Sequence, residues 1–146
     1  MYPYEFDELT QDIQTLALAC RHFKPDAIIA VARGGLIVAQ LLAYALDIRN
    51  IQTVRIESYD NTQQRNTLTL YDMPNLSGCE RVLIVDDIID SGQTLQHLLE
   101  KLQTQYPHLF FKSASLYFKS SASIQPDFTC KEAHTWIDFF WERKLF

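Results

Sequence analysis

The sequence predicts one α/β domain, built on a mostly parallel sheet that is flanked by helices. Short apolar runs of strand length alternate along the chain with stretches in which apolar residues recur every three or four positions. Strands that alternate with helices in this way favour a parallel sheet covered on both faces. The chain has 146 residues, 47% of them apolar, and no repeat or linker divides it, so residues 1–146 are expected to share one core.

Each expected element follows from a local pattern. Phe6, Leu9, Ile13, Leu16 and Cys20 mark one face of a first helix, because gaps of three and four residues follow the helical repeat. The polar segment 59–66 lacks apolar anchors and is expected to be a mobile loop that opens a hairpin. The other expected elements are strands over 27–32, 51–58, 67–70, 81–85 and 110–118, helices over 36–46 and from 94 onward, and an aromatic-rich tail over 128–146.

Composition narrows the function classes. The 13 basic and 18 acidic side chains give a net charge of −5, which argues against a general nucleic-acid-binding protein. The first residues lack the basic and apolar regions of a signal peptide, and the longest strongly apolar stretch, 36–46, is about half of what spans a bilayer. Cys20, Cys79 and Cys130 are far apart, so we expect reduced thiols without a metal site, in a cytoplasmic protein with no integral membrane contact.

The most informative stretch is 81–94, which reads as a buried strand, an acidic loop and the start of a helix. Its apolar run stops at Asp86 and Asp87. After two further apolar residues come Asp90, Ser91, Gly92, Gln93 and Thr94. Free backbone N–H groups at a helix start, together with hydroxyls and a glycine, suit a phosphate group. The three acids beside this pocket indicate a phosphorylated ligand that also carries hydroxyls or Mg²⁺.

Three chain segments are expected to meet at one edge of the sheet, because parallel strands share a C-terminal side. They are residues 33–35, the acidic loop and Lys119. Taken alone, 33–35 also fits an ordinary tight turn, and Lys119 also fits a solvated strand end. A receiver domain is excluded because too little chain follows Asp87 for its sheet. The spacings of an EF-hand, a P-loop and a dinucleotide-binding fingerprint are absent.

The residues from Val82 to Thr94 resemble the phosphoribosyl-pyrophosphate signature of type I phosphoribosyltransferases: an apolar strand, two acids, two apolar residues, Asp, Ser or Thr, Gly, any residue and Thr. Residues 32–36, 58–60, 64–65 and 135–137 resemble the bacterial xanthine-guanine phosphoribosyltransferases in order and spacing. The sequence departs from that pattern at Gln93, where a second glycine is common, and in its short tail after Trp141.

The resemblance implies the phosphoribosyltransferase type I fold, with a small hood from the C-terminal tail and a mobile loop around Ser58 and Tyr59. It implies that a purine nitrogen displaces pyrophosphate from C1 of phosphoribosyl pyrophosphate, through an oxocarbenium-like transition state. The base would be a 6-oxopurine: xanthine or guanine, with hypoxanthine as a further candidate. A pyrimidine is a less favoured alternative, because Lys119, Trp136 and Ile137 favour a 6-oxopurine. The implied partners are therefore phosphoribosyl pyrophosphate and a purine base, and the implied cofactor is Mg²⁺. The aromatic tail and the apolar helix also indicate a homodimer or homotetramer.

Residue roles carry over with the resemblance. Asp86 and Asp87 would hold the ribose hydroxyls, directly or through Mg²⁺, with Asp87 as the metal ligand, and Asp90 would handle the proton at the purine N7. The 5′-phosphate would be bound by Asp90, Ser91, Gly92, Gln93 and Thr94. Pyrophosphate would be bound by Arg33, Gly34, Gly35 and Arg65, and the base by Lys119, Trp136 and Ile137. The resemblance also implies that the peptide bond before Arg33 is cis in at least some ligand states.

A second function class is open on the same fold. A non-catalytic regulator could bind a nucleotide and control nucleic acid. Such a protein needs a basic face or an added DNA-binding element, and the sequence has neither.

Overall fold

The structure, a computed structural model, describes residues 1–60 and 66–146. Within these residues six strands form one sheet, in the spatial order β4-β3-β2-β5-β6-β7. The strands are β2 (Ala27–Ala32), β3 (Ile51–Asp60), β4 (Asn66–Tyr71), β5 (Arg81–Ile89), β6 (Phe110–Phe118) and β7 (Phe128–Glu132). Neighbouring strands from β3 to β7 run parallel, and β4 pairs antiparallel with β3. The predicted mostly parallel sheet and the predicted hairpin are both confirmed.

Helices cover both faces of this sheet, as the alternating pattern predicted. Helices α1 (Phe6–Cys20) and α2 (Gly35–Ala45) pack on one face, and α3 (Gln93–Gln105) packs on the other. Along β5, Leu83 and Val85 face the first layer, whereas Val82 and Ile84 face the second. Burial on both sides is the reason why this strand reads as an unbroken apolar run. None of the helices in the described ranges has the length and apolar character that a membrane crossing requires.

A small second sheet stands beside the large one. In the described part of the chain it consists of β1 (Tyr2–Tyr4) and β8 (Ile137–Phe139), which run parallel, with Tyr2 opposite Ile137 and Tyr4 opposite Phe139. We call this β1–β8 sheet the hood. The sequence predicted a hood from the tail but not its N-terminal strand. A strand of three residues that contains a proline is too short to show the alternation of apolar and polar residues by which a strand is predicted.

Two strand boundaries differ from the sequence prediction. The central strand was expected to end at Val85, but β5 continues to Ile89 because β6 remains beside it, with Asp86 opposite Ser115 and Ile89 opposite Phe118. Strand β3 was expected to end at Ser58 but continues to Asp60. The reason is again pairing, because antiparallel contact with β4 satisfies the backbone groups of these polar residues.

Candidate active site

The C-terminal ends of β2, β5 and β6 bring the predicted site segments to one edge of the sheet. The turn from β2 into α2 packs directly against β5. A Cβ atom added to Gly34 would collide with the carboxylate of Asp87, and one added to Gly35 would collide with the carbonyl oxygen of Val85. Only glycine permits this approach, so the Arg33–Gly35 turn and the paired acids are held in contact. The Ala32–Arg33 peptide bond is cis, as the resemblance implied.

The paired acids are held by their own strand. The N–H of Asp87 donates to Asp86 Oδ1 at 2.9 Å, and the N–H of Ile88 donates to Asp87 Oδ1 at 2.8 Å. Burial, followed by the charge of Asp87, raises the pKa of Asp86 well above its usual range. Two adjacent carboxylates in a partly enclosed place are an environment in which ribose hydroxyls or a divalent cation would relieve the repulsion.

A residue that the sequence analysis missed lies beside them. Glu142, in the tail after β8, has a pKa raised by burial and by its charge interaction and hydrogen bond with Asp87. It also lines a cavity of about 820 Å³ between the start of α2 and the tail. The lining residues are Arg33, Gly34, Leu36, Ile37, Trp141, Glu142, Arg143 and Lys144. No local pattern marks Glu142, because only the path of the tail brings it to β5.

The predicted phosphate loop follows β5. Gly92 has a φ of 86°, in the left-handed region that favours glycine, and it is the N-cap of α3. A Cβ atom on Gly92 would lie 2.8 Å from Ser123 Oγ, so the loop after β6 also requires glycine here. Ser91 Oγ accepts the N–H of Gln93 at 3.2 Å. A pocket of about 80 Å³ lies in this loop, lined by Asp86, Ile88, Ile89, Asp90, Ser91, Gly92, Thr94 and Leu95.

Lys119 closes the site on the β6 side. Its N–H donates to the carbonyl oxygen of Ile89 at 2.9 Å, and its Nζ lies 2.8 Å from Asp90 Oδ1. Both side chains are partly exposed, with 41% of Lys119 and 62% of Asp90 accessible. The structure therefore joins the residue predicted to meet the purine O6 with the residue predicted to meet N7.

The other predicted base-binding residues lie at the start of β8: Ile137 is its first residue, and Trp136 directly precedes it. Ile137 is 7% exposed and belongs to β8, whereas the side chain of Trp136 is 69% exposed. The carbonyl oxygen of Trp136 accepts the N–H of Tyr2 at 2.8 Å, which ties this segment to β1. The hood thus presents Trp136 as an accessible aromatic side chain.

The predicted loop residues are divided between two regions. Ser58, expected where the strand meets the mobile loop, and Tyr59, expected in that loop, lie in β3 opposite Leu68 and Thr67, because the hairpin extends further than its sequence indicated. Arg65 lies outside the described residues, so its pyrophosphate contact stays a prediction.

The family model for the phosphoribosyl transferase domain matches residues 5–145. This chain belongs to the phosphoribosyltransferase family. It is 34% identical over 144 residues to a xanthine-guanine phosphoribosyltransferase from Idiomarina loihiensis, covering 97% of this chain and 84% of that relative. The comparisons give no support to the regulator considered above.

Solved phosphoribosyltransferases share the fold over nearly the whole chain. The Helicobacter pylori xanthine-guanine-hypoxanthine phosphoribosyltransferase superposes with a TM-score of 0.90 at 34% identity, covering 97% of this chain and 93% of that one. A purine phosphoribosyltransferase from Pyrococcus horikoshii Ot3 gives a TM-score of 0.84 at 33% identity, with 97% and 94% covered. These matches support the predicted type I fold.

Phosphoribosyltransferases generally use Mg²⁺ together with phosphoribosyl pyrophosphate. Among the residues that the structure describes, no group of three or more His, Cys, Asp or Glu side chains is arranged to hold a metal ion by itself. In proteins, Mg²⁺ is usually held by one or two carboxylates together with substrate oxygens and water. The adjacent carboxylates of Asp86 and Asp87 are the donors available for that arrangement.

Proposed function

We propose that this chain transfers the phosphoribosyl group of phosphoribosyl pyrophosphate to a 6-oxopurine, forming the nucleoside monophosphate and pyrophosphate. The family assignment and the xanthine-guanine relatives support this reaction. The observation that carries the choice of base is the 2.8 Å contact between Lys119 Nζ and Asp90 Oδ1. It sets a cationic donor beside a carboxylate, and the O6 and N7 edge of a 6-oxopurine requires that pair.

The base would be bound through complementary hydrogen bonds. Lys119 has donors and no acceptor, so it matches the carbonyl at O6 and not the amine of adenine. Asp90 would hold the proton at N7 as the ring nitrogen attacks C1, a role that requires reach more than an extreme pKa. Trp136 would stack on the ring, and the backbone of Ile137 would contact the 2-position. A pyrimidine would not present the same O6 and N7 edge.

The two phosphate groups of the substrate would be held separately. The loop Asp90–Thr94 at the start of α3 would bind the 5′-phosphate, because backbone N–H groups at a helix N-terminus attract anions. The turn with Arg33, Gly34 and Gly35 would bind the pyrophosphate, with Arg65 reaching it from the β3–β4 connection. Ser58 and Tyr59 would support that connection as it covers the reacting atoms and excludes water.

Mg²⁺ would be held by Asp87, with Asp86 at the ribose hydroxyls beside it. When bound, the ion would neutralise charge on the departing pyrophosphate. We further propose one phosphoribosyltransferase domain over residues 1–146, acting in the cytoplasm as a homo-oligomer. Free thiols at Cys20, Cys79 and Cys130 are consistent with a reducing compartment. Exposed Leu36 and Tyr44 on α2 are available for self-association.

The test is a steady-state assay of nucleotide formation with guanine, xanthine, hypoxanthine and adenine in turn. We expect turnover of an oxopurine, with kcat/KM for adenine lower by a factor that approaches about 10⁴, because a site built to hydrogen-bond O6 strongly rejects an analogue that lacks this acceptor. Lys119→Ala should lower kcat/KM for the oxopurine by an amount equivalent to about 1.5–3 kcal/mol of lost transition-state stabilisation. It should also reduce the difference in kcat/KM between the oxopurine and adenine.

Lys101→Ala, on the exposed side of α3, is the matched control and should leave both constants unchanged. Efficient use of adenine by the wild type would contradict the proposed base class. An unaltered constant in Lys119→Ala would remove Lys119 from the base site.

A further inference from the structure

A cluster of polar side chains, none of which is assigned to substrate, joins the hood to the body of the protein. We call Tyr4, Glu8, Asp12 and Lys131 the hood anchor. The hydroxyl of Tyr4 donates to Asp12 Oδ2 at 2.7 Å. Lys131 Nζ lies 3.0 Å from Asp12 Oδ2 and 2.5 Å from a carboxylate oxygen of Glu8. The cluster therefore links β1, α1 and β7.

The anchor is enclosed enough to be specific. Tyr4 is 0% exposed and Asp12 is 6% exposed. Burial lowers the pKa of Lys131, but its hydrogen bonds with Glu8 and Asp12 outweigh that effect and leave the pKa raised. Burial and the hydrogen bond with Asp12 raise the pKa of Tyr4, so its phenol stays a donor. Removing one member of such a buried group leaves its partner poorly satisfied.

Side chains are what orient the hood. In the described part of the chain, no backbone ladder connects the β1–β8 sheet with the six-stranded sheet. The ring of Tyr4 packs edge-on against Tyr117 of β6 at 5.7 Å and Phe139 of β8 at 5.4 Å between centroids. The hydroxyl of Tyr4 adds a polar contact between the hood and the body of the protein, its hydrogen bond with Asp12. Tyr117 also contacts Phe139 directly at 6.0 Å between ring centroids, so Tyr4 is one of the contacts that set how the hood faces β6.

Both halves of the proposed base site lie next to this connection. On the hood side, Tyr2 lies two residues before Tyr4 in β1. It is opposite Ile137, and its N–H donates to the carbonyl oxygen of Trp136. On the sheet side, Lys131 lies opposite Tyr117, two residues before Lys119. The anchor thus lies between the segment that carries Trp136 and Ile137 and the strand end that carries Lys119.

We propose that Tyr4, Asp12 and Lys131 are positioning residues for the purine base. They hold the hood at the spacing from Lys119 that the base requires, without contacting the base themselves. This inference rests on the proposed function. Binding of phosphoribosyl pyrophosphate, which is assigned to β5, α3 and the turn after β2, should be independent of the anchor.

The test is Tyr4→Phe, which keeps the ring packing and removes only the hydroxyl. We expect KM for guanine or xanthine to rise by about 3–10-fold, the effect of part of a hydrogen bond to a charged group, with KM for phosphoribosyl pyrophosphate and kcat within about twofold of the wild type. Asp12→Asn keeps an acceptor for the phenol while weakening the ion pair, and should show the same split between the two KM values. It serves as the test if Tyr4→Phe fails to fold.

Tyr106→Phe is the matched control. The hydroxyl of Tyr106 donates to the carbonyl oxygen of Pro74 at 2.7 Å and accepts the N–H of Leu76 at 3.2 Å, so this variant loses tyrosine hydrogen bonds that are remote from the hood. It should lower the melting temperature without separating the two KM values. Equal changes in both KM values of Tyr4→Phe, or an unchanged KM for the base, would show that the anchor is only structural and would overturn the inference. Absence of oxopurine turnover by the wild type would instead refute the proposed function.

Discussion

Asp90 and Lys119 form an ion pair that orients the two side chains toward each other but adds little to the stability of the fold. Their charged atoms are 2.8 Å apart, yet both side chains are substantially exposed. Exposed ion pairs contribute about 0–1 kcal/mol to folding, because water screens them and side-chain entropy opposes them. Asp90 also lies outside α3, whose N-cap is Gly92, so it is not the helix cap. The proposed contact of Asp90 with the purine N7 is therefore the role to test.

Asp90→Asn tests that role. The amide cannot accept the N7 proton, so kcat should fall by about 100-fold or more while KM for each substrate changes little. The measurement is steady-state kinetics with the preferred oxopurine, supported by the melting temperature to show that the variant is folded. Glu100→Gln, at an exposed position of α3, is the control for loss of one negative charge. Wild-type kcat in folded Asp90→Asn protein would exclude general acid/base catalysis by this residue.

At the scale of elements, the junction between the β2–α2 turn and β5 decides the geometry of the site. Gly34 meets a side chain, the carboxylate of Asp87, whereas Gly35 meets backbone at Val85. A side chain can rotate away from a new methyl group, but a carbonyl in the middle of a parallel sheet cannot move without disturbing its ladder. Gly34 should therefore matter for the position of the Asp87 carboxylate, and Gly35 for the packing and stability of the sheet.

Gly34→Ala and Gly35→Ala should separate those properties. Gly34→Ala should displace the Asp87 carboxylate and lower kcat/KM by about tenfold or more, with a small loss of stability. Gly35→Ala should lower the free energy of unfolding by about 1–3 kcal/mol or more, because it overpacks the sheet. Denaturant unfolding and the nucleotide-formation assay measure the two effects.

Gly78→Ala provides the comparison for these variants. Gly78 has a φ of 80° and open space around its Cα, so alanine there adds backbone strain of about 1 kcal/mol but no collision. It should leave kcat/KM unchanged. Equal losses of activity in Gly34→Ala and Gly78→Ala would contradict the role of the Asp87 contact.

Over the whole molecule, an acidic protein is proposed to bind a polyanion. The net charge is −5, so positive potential must come locally, from backbone N–H groups, Arg33 and the proposed ion. The acids kept at the site oppose folding. A carboxyl whose pKa is raised in the native state stabilises the fold below its unfolded-state pKa, and this contribution is lost as pH rises through the native value. Asp86 is the clearest case.

Asp86→Asn should therefore stabilise the protein near pH 7 and impair its activity. The asparagine keeps an oxygen that can accept the N–H of Asp87, and it removes the charge that burial and Asp87 disfavour. The melting temperature should rise by about 2–4 °C for each kcal/mol gained, and the gain should disappear as pH falls toward about 4. Thermal unfolding measured from pH 4 to 8 tests this expectation, with exposed Asp90→Asn as the control. A pH-independent gain, or a loss at pH 7, would contradict it.

The sequence by itself determined the elements and the chemistry of the phosphate loop. Apolar runs, helical spacing and the residues from Val82 to Thr94 are local signals. Each one predicts the structure of the same segment in which it occurs. The same signals predicted that the ends of β2, β5 and β6 share an edge, since parallel strands leave no other arrangement. Arg33, Asp87 and Lys119 were therefore foreseeable as neighbours.

Only the tertiary structure decided which distant segments complete the site. β1 pairs with β8 from the other end of the chain, Glu142 reaches Asp87, and Tyr4 meets Asp12 and Lys131. The extension of β5 through the paired acids depended likewise on β6 beside it. These contacts have no local periodicity, because they arise from packing between segments that are far apart in sequence. The roles of the three-residue strand β1 and of the Glu142 carboxylate could be assigned only once the fold had shown their partners, β8 and Asp87.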